Sequence, residues 1–234
     1  MAGDVLVNGA VVIRAGWLVQ PGDGLALVVP PRFVSRGGEK LAKALVEFGI
    51  DVAGWTVADF GASTGGFTDC LLQGGACRVY AVDVGYGILA DKIRRDDRVV
   101  VMERTNARYL EGLPEPIDLV TIDVSFIALK LMLPVAARVL RPGGSSLALI
   151  KPQFEAGRRD VGKGGVVRDP LVHRRVLGEV LGQAVDHGFG VKGLIPSPLR
   201  GPAGNVEFLV HLVLGESSID PAPLIESAME TLPA

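Results

Sequence analysis

The chain has 234 residues, room for one large domain and a small appendage. With 24 basic against 26 acidic side chains its net charge is −2, so any surface for a polyanion has to be local. Two cysteines and three scattered histidines exclude a disulfide framework and a metal cluster, and no apolar run reaches the ~20 residues of a membrane helix.

Residues 1–30 read as a small β-rich unit. Val5–Val7 and Val11–Ile13 flank Asn8-Gly9, a pair suited to a two-residue hairpin turn in which both residues take positive φ. A turn at Pro21–Gly24 leads to a strand at Leu25–Val29, and Pro30-Pro31 ends the unit. Asp4 interrupts any apolar start, so no signal peptide is expected. Residues 31–216 carry the main domain. Leu41, Ala44, Leu45 and Phe48 recur at three to four residues, one face of a helix that Gly49 stops. A strand at Thr56–Asp59 breaks into a glycine-rich turn, then a helix begins that Gly74-Gly75 closes. Strands follow at 78–83, 99–102, 119–123, 147–150, 191–195 and 206–214. Helices are predicted at 88–95, at 128–140 with Arg141–Gly144 as its stop, and from Pro170 to about Asp186 with Asp169 as its cap. Apolar strands separated by helices imply an α/β, Rossmann-like domain with a mostly parallel sheet of seven strands, covered on both faces. Residues 217–234 form a proline-containing tail.

The turn between the first main-domain strand and its helix is the best candidate ligand site. Glycines let a backbone approach a ligand, and a helix N-terminus offers unpaired N–H groups. A dinucleotide fold wants G-x-G-x-x-G, but Ser63 fills the second glycine slot, which disfavours NAD. Gly157–Lys163 fits G-x-x-x-x-G-K, yet Gly164 replaces the hydroxyl residue and a charged loop precedes it, so a P-loop is rejected. The pattern D-x-G-x-x-x-G-G over Asp59–Gly66 looks like the first motif of S-adenosylmethionine (SAM) methyltransferases. Asp83 lies ~20 residues beyond the turn, where an acid accepts ribose hydroxyls. Asn106, after the third main-domain strand, carries an amide able to read an adenine edge.

In an open α/β sheet ligands bind outside the carboxyl ends of the strands. Asp59, Asp83, Asp123 and Lys151 all end strands here. Lys151 leaves four apolar residues straight into that edge, a partly desolvated setting in which an amine can take a proton from a hydroxyl. Asp123 could orient it. Lys40 supplies a second amine before the sheet, and Glu207 an acid to hold it.

Eight motifs carry a family resemblance: Ser35–Leu41, Asp59–Asp69, Tyr80–Gly87, Glu103–Arg108, Asp123–Phe126, Lys151–Glu155, Val161–Asp169 and Gly204–Phe208. In these the chain resembles the TlyA-like (hemolysin A-like) family of SAM-dependent ribosomal RNA methyltransferases, which have an FtsJ-like catalytic domain. The resemblance implies methylation of a cytidine ribose 2′-hydroxyl, ribosomal RNA or ribosomal subunits as partner, SAM as cofactor and no metal. It implies a Lys-Asp-Lys-Glu tetrad at Lys40, Asp123, Lys151 and Glu207. It implies cofactor contacts at Asp59, Gly61, Ala62, Ser63, Thr64, Gly65, Gly66, Phe67, Asp83, Val84, Arg104, Asn106 and Asp123. Met1–Gly9 resembles the second half of the S4 RNA-binding module, whose helical first half is absent from the sequence. Two basic stretches would grip RNA, one with Arg36 and Lys43, the other with Arg158, Arg159, Lys163 and Arg168. The hemolysin label implies a membrane activity, for which the sequence offers no spanning segment. The alternatives are a methyltransferase of small molecules or proteins, which needs no two-lysine centre, and a non-catalytic ribosome-associated protein, which would show a gap in the tetrad.

Overall fold

The computed structural model describes residues 5–12, 14, 16–27 and 31–232. Met1–Asp4 and the predicted strand residues Ile13, Val28 and Val29 lie outside the described residues. Two compact units emerge, residues 1–32 and 33–234.

The first unit holds β1 (Val5–Val7), β2 (Ala10–Val12) and β3 (Leu25–Leu27), antiparallel in the order β2-β1-β3. Asn8 and Gly9 turn between the first two at φ 52° and 83°, the left-handed values that this pair tolerates. The Asn8 side chain also reaches the second turn. Its Oδ1 accepts from Gly24 N–H at 2.8 Å and its Nδ2 donates to Asp23 at 2.7 Å.

The second unit opens with α1 (Gly37–Glu47), whose buried face holds Leu41 and Ala44. There follow β4 (Thr56–Phe60), α2 (Gly66–Gln73), β5 (Arg78–Val82), α3 (Asp91–Arg94), β6 (Val99–Met102), β7 (Ile117–Ile122), α4 (Leu133–Val139), β8 (Leu140–Ile150) and α5 (Pro152–Glu155). The chain ends with α6 (Pro170–Asp186), β9 (Phe189–Pro196), β10 (Phe208–Leu214) and α7 (Pro221–Glu230). The sheet order is β6-β5-β4-β7-β8-β10-β9. β6 through β8 run parallel, and β10 runs antiparallel between β8 and β9. Every residue of β4 is buried, as its apolar run requires of a central strand covered on both faces. One core lies beneath α4, α6 and α7, the other beneath α1 and α2.

Three local expectations change. The helix predicted at 88–95 shrinks to Asp91–Arg94, because the preceding residues are pinned as a loop: Gly87 N–H donates to the Glu103 carboxylate at 2.8 Å and Ala90 N–H to the Thr64 carbonyl at 3.1 Å. The helix predicted at 128–140 splits into a 3-10 turn at Leu129–Leu131 and α4, because Pro134 cannot donate within a continuous helix. α4 does stop at Val139, just before Arg141–Gly144, but that segment is no loop. It enters β8 directly, and an irregularity in the pairing with Ile117 and Leu119 absorbs the extra residues. The C-terminal residues contribute α7, capped by Asp220 and packed on β9 and α6; prolines at a helix start are compatible with its first turn.

α1 and α2 approach closely through glycines. A Cβ on Gly38 would lie 2.3 Å from Cγ of buried Phe33. Gly38→Ala is expected to destabilise the protein by about 1–3 kcal/mol through overpacking, although alanine is intrinsically the better helix former. Urea denaturation reads the sign.

Candidate active site

The site forms where β4 and β7 end side by side. Asp123 N–H donates to the Phe60 carbonyl at 2.9 Å, and the chain turns at Gly61 with φ 88°. A Cβ there would lie 2.6 Å from the Asp123 carbonyl oxygen, so only glycine permits this approach. Ser63, the residue in the second glycine slot, takes a left-handed φ of 50°. Asp83 stabilises that conformation: its Oδ2 accepts from Ser63 N–H at 2.8 Å and its Oδ1 from Gly85 N–H at 2.7 Å. One carboxylate therefore ties the glycine turn to the loop after β5. Buried Asp69 in α2 ties the segment before α1 to the same turn, accepting from Val34 N–H at 2.9 Å.

Two lysine–carboxylate pairs stand at this edge. Lys151, 7% exposed at the end of β8, places Nζ 2.6 Å from Asp123 Oδ1, and it also donates to the Val124 carbonyl at 2.9 Å and Ser125 Oγ at 3.0 Å. Three acceptors match the three protons of an ammonium. Lys40, in α1, donates to Glu207 Oε2 at 2.5 Å. Glu207 precedes β10, and the register Phe208↔Ile150 sets it beside Lys151 along the paired strands. Lys40 and Asp123 line one cavity of about 230 Å³. A larger cavity of about 650 Å³ meets it at Gly61, Ser63 and Asp123.

The cavities sort the predicted residues. Arg36, Lys40, Ala62, Thr64, Gly66 and Phe67 line the smaller one, and Asp83, Val84 and Asn106 the larger. Gly65 stands apart as the left-handed residue that starts α2. Arg104 lines neither cavity; its guanidinium stacks on the Tyr86 ring, 4.0 Å from the centroid. Lys43 pairs with Glu47 at 2.5 Å, while Arg158, Arg159, Lys163 and Arg168 are exposed in the chain after α5. Glu155 of the Lys151–Glu155 motif serves the scaffold by accepting from Leu129 N–H at 2.8 Å, and burial raises its pKa above the ordinary range. Among the described residues, no cluster of three or more His, Cys, Asp or Glu could hold a metal, and no helix is long and apolar enough to cross a membrane.

Residues 33–214 match the family model described as FtsJ-like methyltransferase. The chain belongs to the FtsJ-like methyltransferase family. It is 52% identical over 220 residues to the "Putative rRNA methyltransferase YqxC" of Bacillus subtilis, covering 88% of this chain and 77% of that protein. It is 45% identical to the 16S/23S rRNA (cytidine-2′-O)-methyltransferase TlyA of Mycobacterium tuberculosis, covering 90% and 80%. Among solved structures, the "Putative hemolysin" of Streptococcus thermophilus superposes with a TM-score of 0.87 at 46% identity, over 97% of this chain and 85% of that one. This FtsJ-like enzyme takes SAM as its cofactor. The larger cavity suits a nucleoside, with Asp83 and Asn106 as polar groups among apolar Val84, Ile88, Leu131 and Met132.

Some features escaped the sequence reading. Asp59 is fully buried and lines neither of these cavities. Its carboxylate accepts from Thr68 Oγ1 at 2.7 Å and Thr121 Oγ1 at 2.9 Å, holding α2 and β7 together. Phe126 is 90% exposed with φ 63°, its ring 4.9 Å from that of Phe154; nothing in its local sequence signals that exposure. Arg200 lines the smaller cavity and comes from the loop before β10, which sequence periodicity does not place.

Burial pushes the Asp59 pKa up to about 6, against the lowering effect of the Thr68 and Thr121 hydroxyls. A carboxyl raised in the folded state gives stability that is complete below the unfolded value of 3.8 and lost as pH rises through about 6. Relative to Asp59→Asn, the native protein should lose about 2–3 kcal/mol between pH 4 and pH 7. Urea denaturation of both proteins across that range measures the difference.

Proposed function

We propose that this enzyme transfers the SAM methyl group to the ribose 2′-hydroxyl of a cytidine in ribosomal RNA, with Lys40, Asp123, Lys151 and Glu207 as its catalytic tetrad. The observation that carries this reading is that Lys40 and Asp123, each held in a lysine–carboxylate pair, line one cavity, and that Asp123 also lines the nucleoside-sized cavity joined to it. A methyltransferase for small molecules or proteins has no need of two amines held in this way. The printed name of the M. tuberculosis relative supports ribosomal RNA and cytidine.

In this mechanism the larger cavity receives the adenosine end of the cofactor. Asp83 keeps acceptor capacity for ribose hydroxyls beyond its two backbone bonds, and Asn106 faces the base. The cofactor supplies a methyl on a cationic sulfur that leaves as a neutral thioether. The chain supplies alignment and proton handling. A flipped-out nucleotide presents its ribose in the smaller cavity, between Lys40 and Asp123. The hydroxyl oxygen replaces one of the acceptors at Lys151 Nζ, whose positive charge stabilises the developing alkoxide, and the hydroxyl proton passes to water as the oxygen takes the methyl. Asp123 orients Lys151 and Glu207 orients Lys40. Arg36, Lys43, Arg158, Arg159, Lys163 and Arg168 grip phosphates, and residues 1–32 act as an S4-like RNA-binding unit. The enzyme works in the cytoplasm, where ribosomal RNA is modified.

Transfer of tritiated methyl from SAM to each ribosomal subunit, with mapping of the modified ribose, tests the reading; a label on a base or on protein overturns it. Lys151→Ala should abolish transfer and leave SAM affinity nearly unchanged by calorimetry. Asp83→Ala should weaken SAM binding by about 1–3 kcal/mol, the scale of a lost charge-assisted hydrogen bond, and an unchanged dissociation constant would remove the ribose contact.

A further inference from the structure

The chain after α5 forms a tight turn of its own. Gly162 N–H donates to the Val166 carbonyl and Gly165 N–H to the Gly162 carbonyl, both at 3.0 Å, and Lys163 is exposed at the tip. Within this turn one isolated β-bridge, Gly162↔Val166, is the pairing among the described residues. Its base is gripped by side chains from elsewhere. Val167, 2% exposed, donates its N–H to Asn205 Oδ1 at 3.0 Å and accepts from His173 Nε2 at 3.2 Å. Asn205 Nδ2 donates to the Gly165 carbonyl at 2.8 Å. Asn205 is itself 2% exposed, so both ends of one buried amide are committed to the basic turn.

The backbone of the same residue bonds a second loop. Its carbonyl accepts from Gly201 N–H at 2.9 Å, and Gly204 N–H donates to the Gly201 carbonyl at 2.8 Å, closing a loop. Gly201 lies directly against the partner of Lys40: a Cβ at that position would be 2.6 Å from Glu207 Oε1. Two residues after Asn205, the Glu207 carbonyl accepts from Ser197 N–H at 2.8 Å. The Asn205 side chain thus holds the basic turn, while its main chain, two residues before Glu207, holds the Gly201 loop that lies against that carboxylate.

We propose that Asn205 is a positioning residue, coupling capture of RNA phosphate by residues 162–168 to the seating of Glu207 against Lys40. The inference rests on the ribosomal RNA reading above and extends it: the basic turn acts on the rate of transfer as well as on affinity. Lys163 and Arg168 are drawn to a polyanion, and the backbone between them, at Gly165 and Val167, is held by the Asn205 amide. Removing the amide leaves the buried Val167 N–H without its partner, a strain the two loops relieve by separating.

The test compares native enzyme, Asn205→Ala and Lys163→Ala, alone and combined. Each is assayed for SAM binding by calorimetry, binding to unmethylated ribosomal subunits, single-turnover transfer of tritiated methyl, and amide hydrogen exchange. Asn205→Ala keeps every basic side chain, yet its transfer rate at saturating subunits should fall about tenfold to a hundredfold, with SAM affinity held within about twofold. Exchange should accelerate in 162–167 and 197–207 together. Lys163→Ala should slow transfer in the native background and add nothing to the rate in the Asn205→Ala background, while weakening subunit binding in both. Asn205→Asp, which keeps the acceptor for Val167 N–H and loses the donor to Gly165, should give an intermediate rate. An unchanged transfer rate in Asn205→Ala, or faster exchange in one segment alone, overturns the coupling. If the native enzyme methylates neither subunit, the substrate reading fails while the exchange pattern still decides whether the two loops are joined.

Discussion

A lysine almost wholly removed from water must be matched by acceptors, because an unpaired buried ammonium costs several kcal/mol. Lys151 is such a residue, and its match is spread over three consecutive positions, Asp123, Val124 and Ser125. Those positions lie beyond the end of β7, so β7 and β8 must be neighbours and must end nearly level. The same requirement keeps Asp123 at the mouth of both cavities rather than in open solvent. Lys40 of α1 and Glu207, just before β10, form a second such pair. As an ion pair such a contact adds little net stability; what it specifies is one geometry for the groups at this edge.

The glycine turn answers to that geometry. Gly61 has no Cβ because the Asp123 carbonyl occupies the space where one would sit. Asp83 then draws Ser63 into a left-handed conformation and joins the turn to the loop after β5. Behind it Asp59 is sealed in the core and bonded to two threonine hydroxyls. Of the acids at the strand ends, Asp59 maintains the scaffold, Asp83 lines the larger cavity and Asp123 pairs the buried lysine. Burial separates these parts: full burial leaves no ligand within reach, and partial exposure does.

The elements with strong local signals were legible. The Asn8-Gly9 hairpin, the apolar run of β4 and the Asp169-Pro170 start of α6 follow from backbone chemistry that a few residues decide. The misplaced helices were not legible, since their ends are set by distant partners. Glu103 holds Gly87 in a loop from 16 residues away, and Pro134 was hidden inside an otherwise helical apolar pattern. Arg104 sits in a motif with Asn106, but its guanidinium stacks on Tyr86 because the left-handed turn at that residue aims it there.

By itself the sequence determined the alternation of strands and helices, the glycine turn and the identity of four ionisable residues suited to one edge. These depend on hydrophobic period and residue chemistry, which act over a few residues at a time. Only the tertiary structure brought each amine against its expected acid, turned Asp59 inward, and set Asn205 between the basic turn and the Gly201 loop. Lys40 and Glu207 are 167 positions apart, and a contact over that distance exists only once seven strands have taken their order and register.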